Sequence, residues 1–168
     1  MFLENRWTTE KICTYLDAIR PMVFRRSVDC SVFRLRILES EDAPPFAGDG
    51  IEGRELPVGT MWGLPRMTFM LSSSFRVPED WKQPAVLHIP LGDAGSFNHP
   101  EALAYIDGEP CSAIDRFHHE IPIDENWFDG KAHRLDLHGW TGGVDQPPIW
   151  SKVDRDAETG FLQMKPCR

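Results

Sequence analysis

The chain lacks any cysteine pair at metal or redox spacing. Cys13, Cys30, Cys111 and Cys167 are far apart, so neither a zinc ribbon nor a C-x-x-C redox pair is present. At 168 residues the chain can bury a core without disulfide staples, and reduced thiols are expected. A basic excess is also missing. Eighteen Lys and Arg against twenty-six Asp and Glu leave a net charge of −8, which argues against nucleic acid or an anionic membrane as the main partner. No apolar run approaches the ~18 residues of a membrane span, and "MFLENRWTTEK" has no charged-then-apolar leader profile. Asn5, Asn98 and Asn126 are each followed by the wrong residues for glycosylation. The G-x-S-x-G nucleophile elbow and the phosphate-cradling glycine loops do not occur. These absences predict a cytoplasmic domain.

What is present is a packed-core composition, 41% hydrophobic, with two successive periodicities. In "TTEKICTYLDAIR" (8–20), Ile12, Leu16 and Ile19 recur at i, i+4, i+7, which predicts a helix. Thr8 or Thr9 is the expected cap, and Pro21 should stop the helix, because the residue before proline is pushed out of helical backbone. From "SVFRLRILE" onward the period is that of strands: Phe33, Leu35 and Ile37 alternate with Arg34 and Arg36. "SEDAPPFAGDGIEGRE" reads as a loop. "MTFMLSSSFRV", "AVLHIPL", "EALAYID", "FHHEIPI" and "AHRLDLHGW" follow as short strands between Pro, Gly and Asp clusters. The prediction is an all-β, antiparallel sandwich of jelly-roll, galactose-binding-like type over 26–168, after a helical segment at 1–25. The expected core contains Phe33, Leu35, Ile37, Phe69, Leu71, Val86, Leu87, Leu103, Tyr105, Leu135 and Leu137.

Few residues carry a chemical signal. Adjacent histidines on a strand face opposite ways, so His118 and His119 do not grip one metal together, and no three-ligand spacing is present. A glycosidase needs two carboxylates across a sugar, but with twenty-six acids in the chain a nearby pair is uninformative. Six tryptophans are a better signal, since such rings fill cores when buried and stack on sugars when exposed. Trp62 and Trp81 read as core or hinge; Trp127, Trp140 and Trp150 lie in loop contexts, and Trp127 and Trp140 are the sugar-stacking candidates.

Several segments, taken in order, resemble one family. "LPVGTMWGLPRMTFMLSSSFRVPEDW" is similar to a pattern in which a Gly-x-x-Trp-Gly turn leads into a strand and a Val-Pro-x-x-Trp turn. "EALAYIDGEPCSAIDRFHHEIPI" resembles its next hairpin, Asp-Gly-x-Pro followed by Asp-Arg-x-His, and "HRLDLHGWTGG" and "FLQMKPCR" match the following strands. The family is the α-mannosidases of glycoside hydrolase family 38, of cytosolic and fungal-vacuolar type, and the resembling part, about residues 50–168, is the β-sandwich preceding the catalytic domain. That family's His-x-His-x-Asp-x-x-Trp metal motif has no counterpart here. The resemblance therefore implies a non-catalytic accessory domain, cut short at its C-terminal end. It implies no cofactor in this chain, with zinc or another divalent cation held by a separate catalytic domain. The implied partners are that domain of the same polypeptide, α-mannoside glycans and other subunits of an oligomer. The implied compartment is cytoplasmic, or vacuolar in a fungus. A free-standing carbohydrate-binding module is the alternative.

Within "YIDGEPCSAIDRFHHEIPI" (105–123), Asp107-Gly108 predicts a type I′ turn, which needs positive φ at both positions. Beyond it, Asp115, Arg116 and His118 form a polar rim and are the candidate ligand or interdomain contacts. Arg116 offers a planar fork of donors, Asp115 is placed to orient it, and His118 adds an imidazole.

Overall fold

The computed structural model describes residues 3–40, 53–57, 62–64, 66–91, 100–142 and 163–166, with backbone alone at 3–7 and 163–166. Helix α1 spans Leu3–Ile19 and passes into a single 3-10 turn, Arg20–Met22. The helix thus ends before Pro21, as its ring requires, but begins earlier than the Thr8 or Thr9 cap expected from sequence. Among the described residues ten strands follow: β1 Val28–Asp29, β2 Phe33–Leu38, β3 Arg54–Leu56, β4 Thr68–Phe75, β5 Ala85–His88, β6 Glu101–Ile106, β7 Glu109–Ile114, β8 Glu120–Pro122, β9 His133–Trp140 and β10 Gln163–Pro166.

The strands form two antiparallel sheets, a six-stranded one in the order β3-β2-β4-β9-β6-β7 and a four-stranded one in the order β1-β10-β5-β8. From β4 onward the chain alternates between the sheets, apart from the β6–β7 hairpin, so the fold is the all-β sandwich expected. Its spine is the β4–β9 pair, in register from Thr68↔Trp140 to Phe75↔His133. Phe69 and Leu71 of β4, Leu135 and Leu137 of β9, and Leu87, Ile89 and Ile121 near β5 and β8 belong to one buried cluster. Strand periodicity dictates this arrangement, since alternate residues must share a face.

Three expected core residues are not buried. Ile37 is 59% exposed and Leu103 40%, while Tyr105 is only half-buried. Ile37 has the inward parity of Phe33 and Leu35 but stands near the end of β2. In β6 the inward residues are Ala102, Ala104 and Ile106, which turns Leu103 and Tyr105 outward. Small side chains are needed there. A Cβ on Gly139, the partner of Ala102 in β9, would collide with the Glu101 carbonyl and lie 2.7 Å from the Phe69 ring and 2.8 Å from the Ala102 Cβ. Val86 and Leu87 point to opposite faces of β5, and both are buried.

Other differences are local. Arg54 and Glu55, read as loop, pair with β2 as part of β3. His118 and His119 precede β8 rather than lying within a strand. Trp81 is buried and Trp62 meets Phe69 edge-on at 4.8 Å, so both pack as core. Trp150 and Cys167 lie outside the described residues; Cys13, Cys30 and Cys111 are free thiols. The stripe Ile12, Leu16 and Ile19 exists as expected, but it is exposed together with Tyr15, Met22 and Val23.

Truncating Leu135 or Leu137 to Ala should each cost about 2–5 kcal/mol of unfolding free energy, the range for large-to-small changes in a packed core. Ile37→Ala should cost about 0.5 kcal/mol or less, as at an exposed position. Urea unfolding of the three variants checks the ordering; equal midpoints would reject the strand and face assignments.

Candidate functional site

The hairpin β6–β7 organises the polar groups. Asp107 and Gly108 have φ of 52° and 89°, the positive pair of a type I′ turn. Aspartate visits that backbone more readily than most residues, and here its carboxylate is tied across to β9. The Asp107 main chain donates to the Arg134 carbonyl at 3.0 Å, its Oδ1 accepts from the Arg134 N–H at 2.8 Å, and its Oδ2 lies 2.7 Å from His133 Nδ1. The other nitrogen of His133, Nε2, lies 3.0 Å from Asp129 Oδ1.

His133 is buried, and both of its ring nitrogens face carboxylates. Two carboxylates can be satisfied only if both nitrogens carry protons, so the arrangement favours the imidazolium. Burial by itself pulls the His133 pKa down, but the hydrogen bonds and charges of Asp107 and Asp129 outweigh it and the pKa is raised. The Lys131 N–H and ammonium, then His133, hold Asp129 well below the usual carboxylate range. With neither nitrogen open, His133 has no lone pair for general-base work. It is a clamp that ties the turn to the start of β9.

The rim at the far end of the hairpin is built differently from its sequence reading. Asp115 does not orient the Arg116 fork. Its Oδ1 accepts from the N–H groups of Phe117 and His118 at 2.6 and 2.8 Å, and its carboxylate meets His118 Nδ1 at 2.8 and 2.9 Å. The His118 imidazole, then the backbone donors, lower the Asp115 pKa to about 2. The Arg116 guanidinium instead lies over the Phe117 ring, 4.9 Å from its centroid. The physical reason is local geometry: an Asx turn closes on residues two and three further on, whereas the adjacent side chain points away. Phe117, 77% exposed, stands at the tip.

The two aromatic candidates part company. Trp127 meets Phe75 edge-on at 6.4 Å and packs partly buried against the core. Trp140 is 44% exposed on the outer face of the six-stranded sheet, where it lines a cleft of about 450 Å³ with Thr68, Glu101, Leu103, Asp115 and His138. Asp115 and Trp140 are thereby brought to one place; Arg116, His118 and Trp127 do not line it. On the same face Ser72 donates to the fully buried Asp136 at 2.5 Å, and Arg134 holds that carboxylate at 2.6 and 3.2 Å. His138 is pushed toward the neutral form by burial and then by Arg36.

Sequence reading missed the His133 clamp, the Arg134–Asp136–Ser72 group and the parts played by Glu101, Thr68 and His138. The clamp joins positions 26 residues apart, for which no periodicity gives a signal. Only the i, i+4 pair Asp129 and His133 lies within a short stretch. Among the described residues no group of three or more His, Cys, Asp or Glu is placed to hold a metal ion. Among the described residues the carboxylates with a resolved shift, Asp80, Asp115 and Asp129, all move downward, opposite to what a general acid needs near neutral pH. No family model matches the chain, and no curated protein matches it.

The clamp makes stability depend on pH. Because folding raises the His133 pKa, its contribution is fully present below the unfolded value near ~6.5 and is lost as pH rises through the folded value. The thermal midpoint should therefore fall on the alkaline side of neutrality. His133→Gln should lower the midpoint and flatten that fall, and a slope unchanged in the variant would refute the charged clamp. Asp129 works the other way, contributing above about pH 3.9 and losing its contribution in acid.

Proposed function

We propose that this chain is the non-catalytic accessory domain of a glycoside hydrolase family 38 α-mannosidase, preceding the catalytic domain and packing against it. The observation that carries the proposal is the apolar stripe of α1. Ile12, Tyr15, Leu16 and Ile19 are each more than half exposed, a pattern that suits a helix covered by another part of a larger protein. Covering Ile12, Leu16 and Ile19 would stabilise such a contact by about 1.5–3 kcal/mol for each fully buried side chain. The segment order that resembles the family supplies the identity of the cover.

The chemistry of the described residues supports a supporting role. His133 has both nitrogens engaged, Asp115 is fixed by an Asx turn, and the buried Asp136 is neutralised by Arg134. Hydrolysis of α-mannosides would then fall to the catalytic domain, which would also hold the divalent cation. Cytoplasmic or vacuolar placement and assembly into an oligomer belong to the same reading. Among the described residues no helix is long and apolar enough to cross a membrane.

Three measurements test the reading. The chain alone should not turn over an aryl α-mannoside, and turnover by pure protein of the correct mass would overturn it. In a polypeptide carrying the family's catalytic domain after this chain, replacing Ile12, Leu16 and Ile19 by Ser should lower the thermal midpoint or specific activity. In the isolated chain the same triple change should leave the sandwich's unfolding midpoint unaltered. No effect in either context would remove the helix from the interface. Arg116→Ala should be compared with Lys82→Ala in the joined protein. Equal activity and stability of the two variants would leave the rim without a role.

A further inference from the structure

We infer that the cleft on the outer face of the six-stranded sheet, beside Trp140, is a binding site for a single neutral pyranose ring. Four adjacent strands, β4, β9, β6 and β7, meet at this end of the sheet, where Thr68, Trp140 and Glu101 share one row across the strands. Leu103 and His138 form the next row inward. The cleft's volume of about 450 Å³ lies within the roughly 300–1,000 Å³ of small-molecule sites.

Its lining has the two kinds of group that a sugar ring requires. Trp140 and Leu103 present apolar surface on the side of the sheet facing away from the core, and both are substantially exposed. A pyranose offers a matching apolar patch where its axial C–H bonds cluster, and a tryptophan face is the natural platform for it. Around this surface stand the carboxylates of Glu101 and Asp115 and the hydroxyl of Thr68. Ionised carboxylates accept hydrogen bonds from sugar hydroxyls more strongly than neutral acceptors do. The Asp115 carboxylate is already fixed by the Phe117 and His118 N–H groups, so little freedom is lost when a ligand arrives. His138 also lines the cleft, and its buried Nε2 has no hydrogen-bond partner. A ligand hydroxyl is the kind of group that can satisfy such a ring nitrogen.

Charge selects among ligand classes. A net charge of −8 and two carboxylates at the rim disfavour phosphorylated or carboxylated ligands. A quaternary ammonium would want a cage of several aromatic faces, and among the described residues the lining supplies Trp140 as its one large aromatic platform, with Arg36 acting on the neighbouring His138. The mixture of acceptors, a hydroxyl and an imidazole fits a polyol, which both donates and accepts. The choice of mannose as the first probe rests on the α-mannosidase reading; the preference for a pyranose does not.

The test is a titration of the isotope-labelled chain, followed by amide and Trp indole NMR signals, with methyl α-mannoside, methyl β-glucoside and choline in separate arms. Methyl α-mannoside should shift signals confined to Thr68, Leu103, Ala113, His138 and Trp140. Trp140→Ala should weaken binding about tenfold or more, the loss of one stacked ring, and Glu101→Gln should weaken it as well. Glu101→Gln keeps the shape of the side chain, so it stays informative if Trp140→Ala folds poorly. Binding of the glucoside but not the mannoside would uphold the pyranose site while removing support for the mannosidase reading. Shifts with choline alone, no shift with either sugar, or sugar binding unaffected by both substitutions would overturn the inference. The accessory-domain reading would stand on its own separate test.

Discussion

Pairing between β4 and β9 is the constraint on which the other elements depend. These are the two eight-residue strands, in register along their whole length, and every other strand of the larger sheet is added outward from them. Their inward residues, Phe69, Leu71, Leu135 and Leu137, face the smaller sheet across the buried cluster. Slipping this pair by one residue would exchange that apolar set for Met70, Ser72, Asp136 and His138. It would turn the Asp136 carboxylate, and Arg134 with it, in among hydrocarbon side chains. The register is thus fixed from both sides, by hydrophobic burial on the inner face and by a charge pair on the outer one.

The same spine positions the polar groups at opposite ends of the hairpin. At its turn, Asp107 reaches β9 through Arg134 and His133. At its other end, Asp115 closes its own loop and borders the cleft that begins at Trp140. The turn end is tightly cross-linked, and its ionisable groups are used up in holding the chain. The cleft end keeps an exposed ring and an unsatisfied imidazole nitrogen. Stability and recognition are in this way divided between the two ends of one hairpin.

Much of the sandwich was legible in the alternation of residues, because each strand needs one apolar face and the segments at 33–38, 68–75 and 133–140 display it plainly. The Asp107-Gly108 turn was legible because few residue pairs tolerate positive φ twice in succession. Alternation did not tell which face of "EALAYI" points inward, since Ala and Ile on one side compete with Leu and Tyr on the other. The close approach of Gly139 to Ala102 and Phe69 decides it, and that contact is tertiary. For the site, Asp115 and Trp140 were legible as residue types. Their meeting was not, because the cleft is assembled from four strands distant in sequence. The rim failed in a different way: the strong local hydrogen bonding of an aspartate to the next turn of backbone took precedence over its pairing with Arg116.

From Phe69 to Ser73 no residue of β4 is turned to water, although only alternate ones face the core. Met70 lies between Arg36 and His138, and Ser72 between Arg34 and Asp136, so the outward positions have neighbours as demanding as the inward ones. A strand of this kind has no permissive face on which sequence can drift. Divergent versions of this domain should therefore keep residues 69–73 nearly intact in size and polarity while their surroundings change, and its central amides should be the last in the chain to exchange with solvent deuterium.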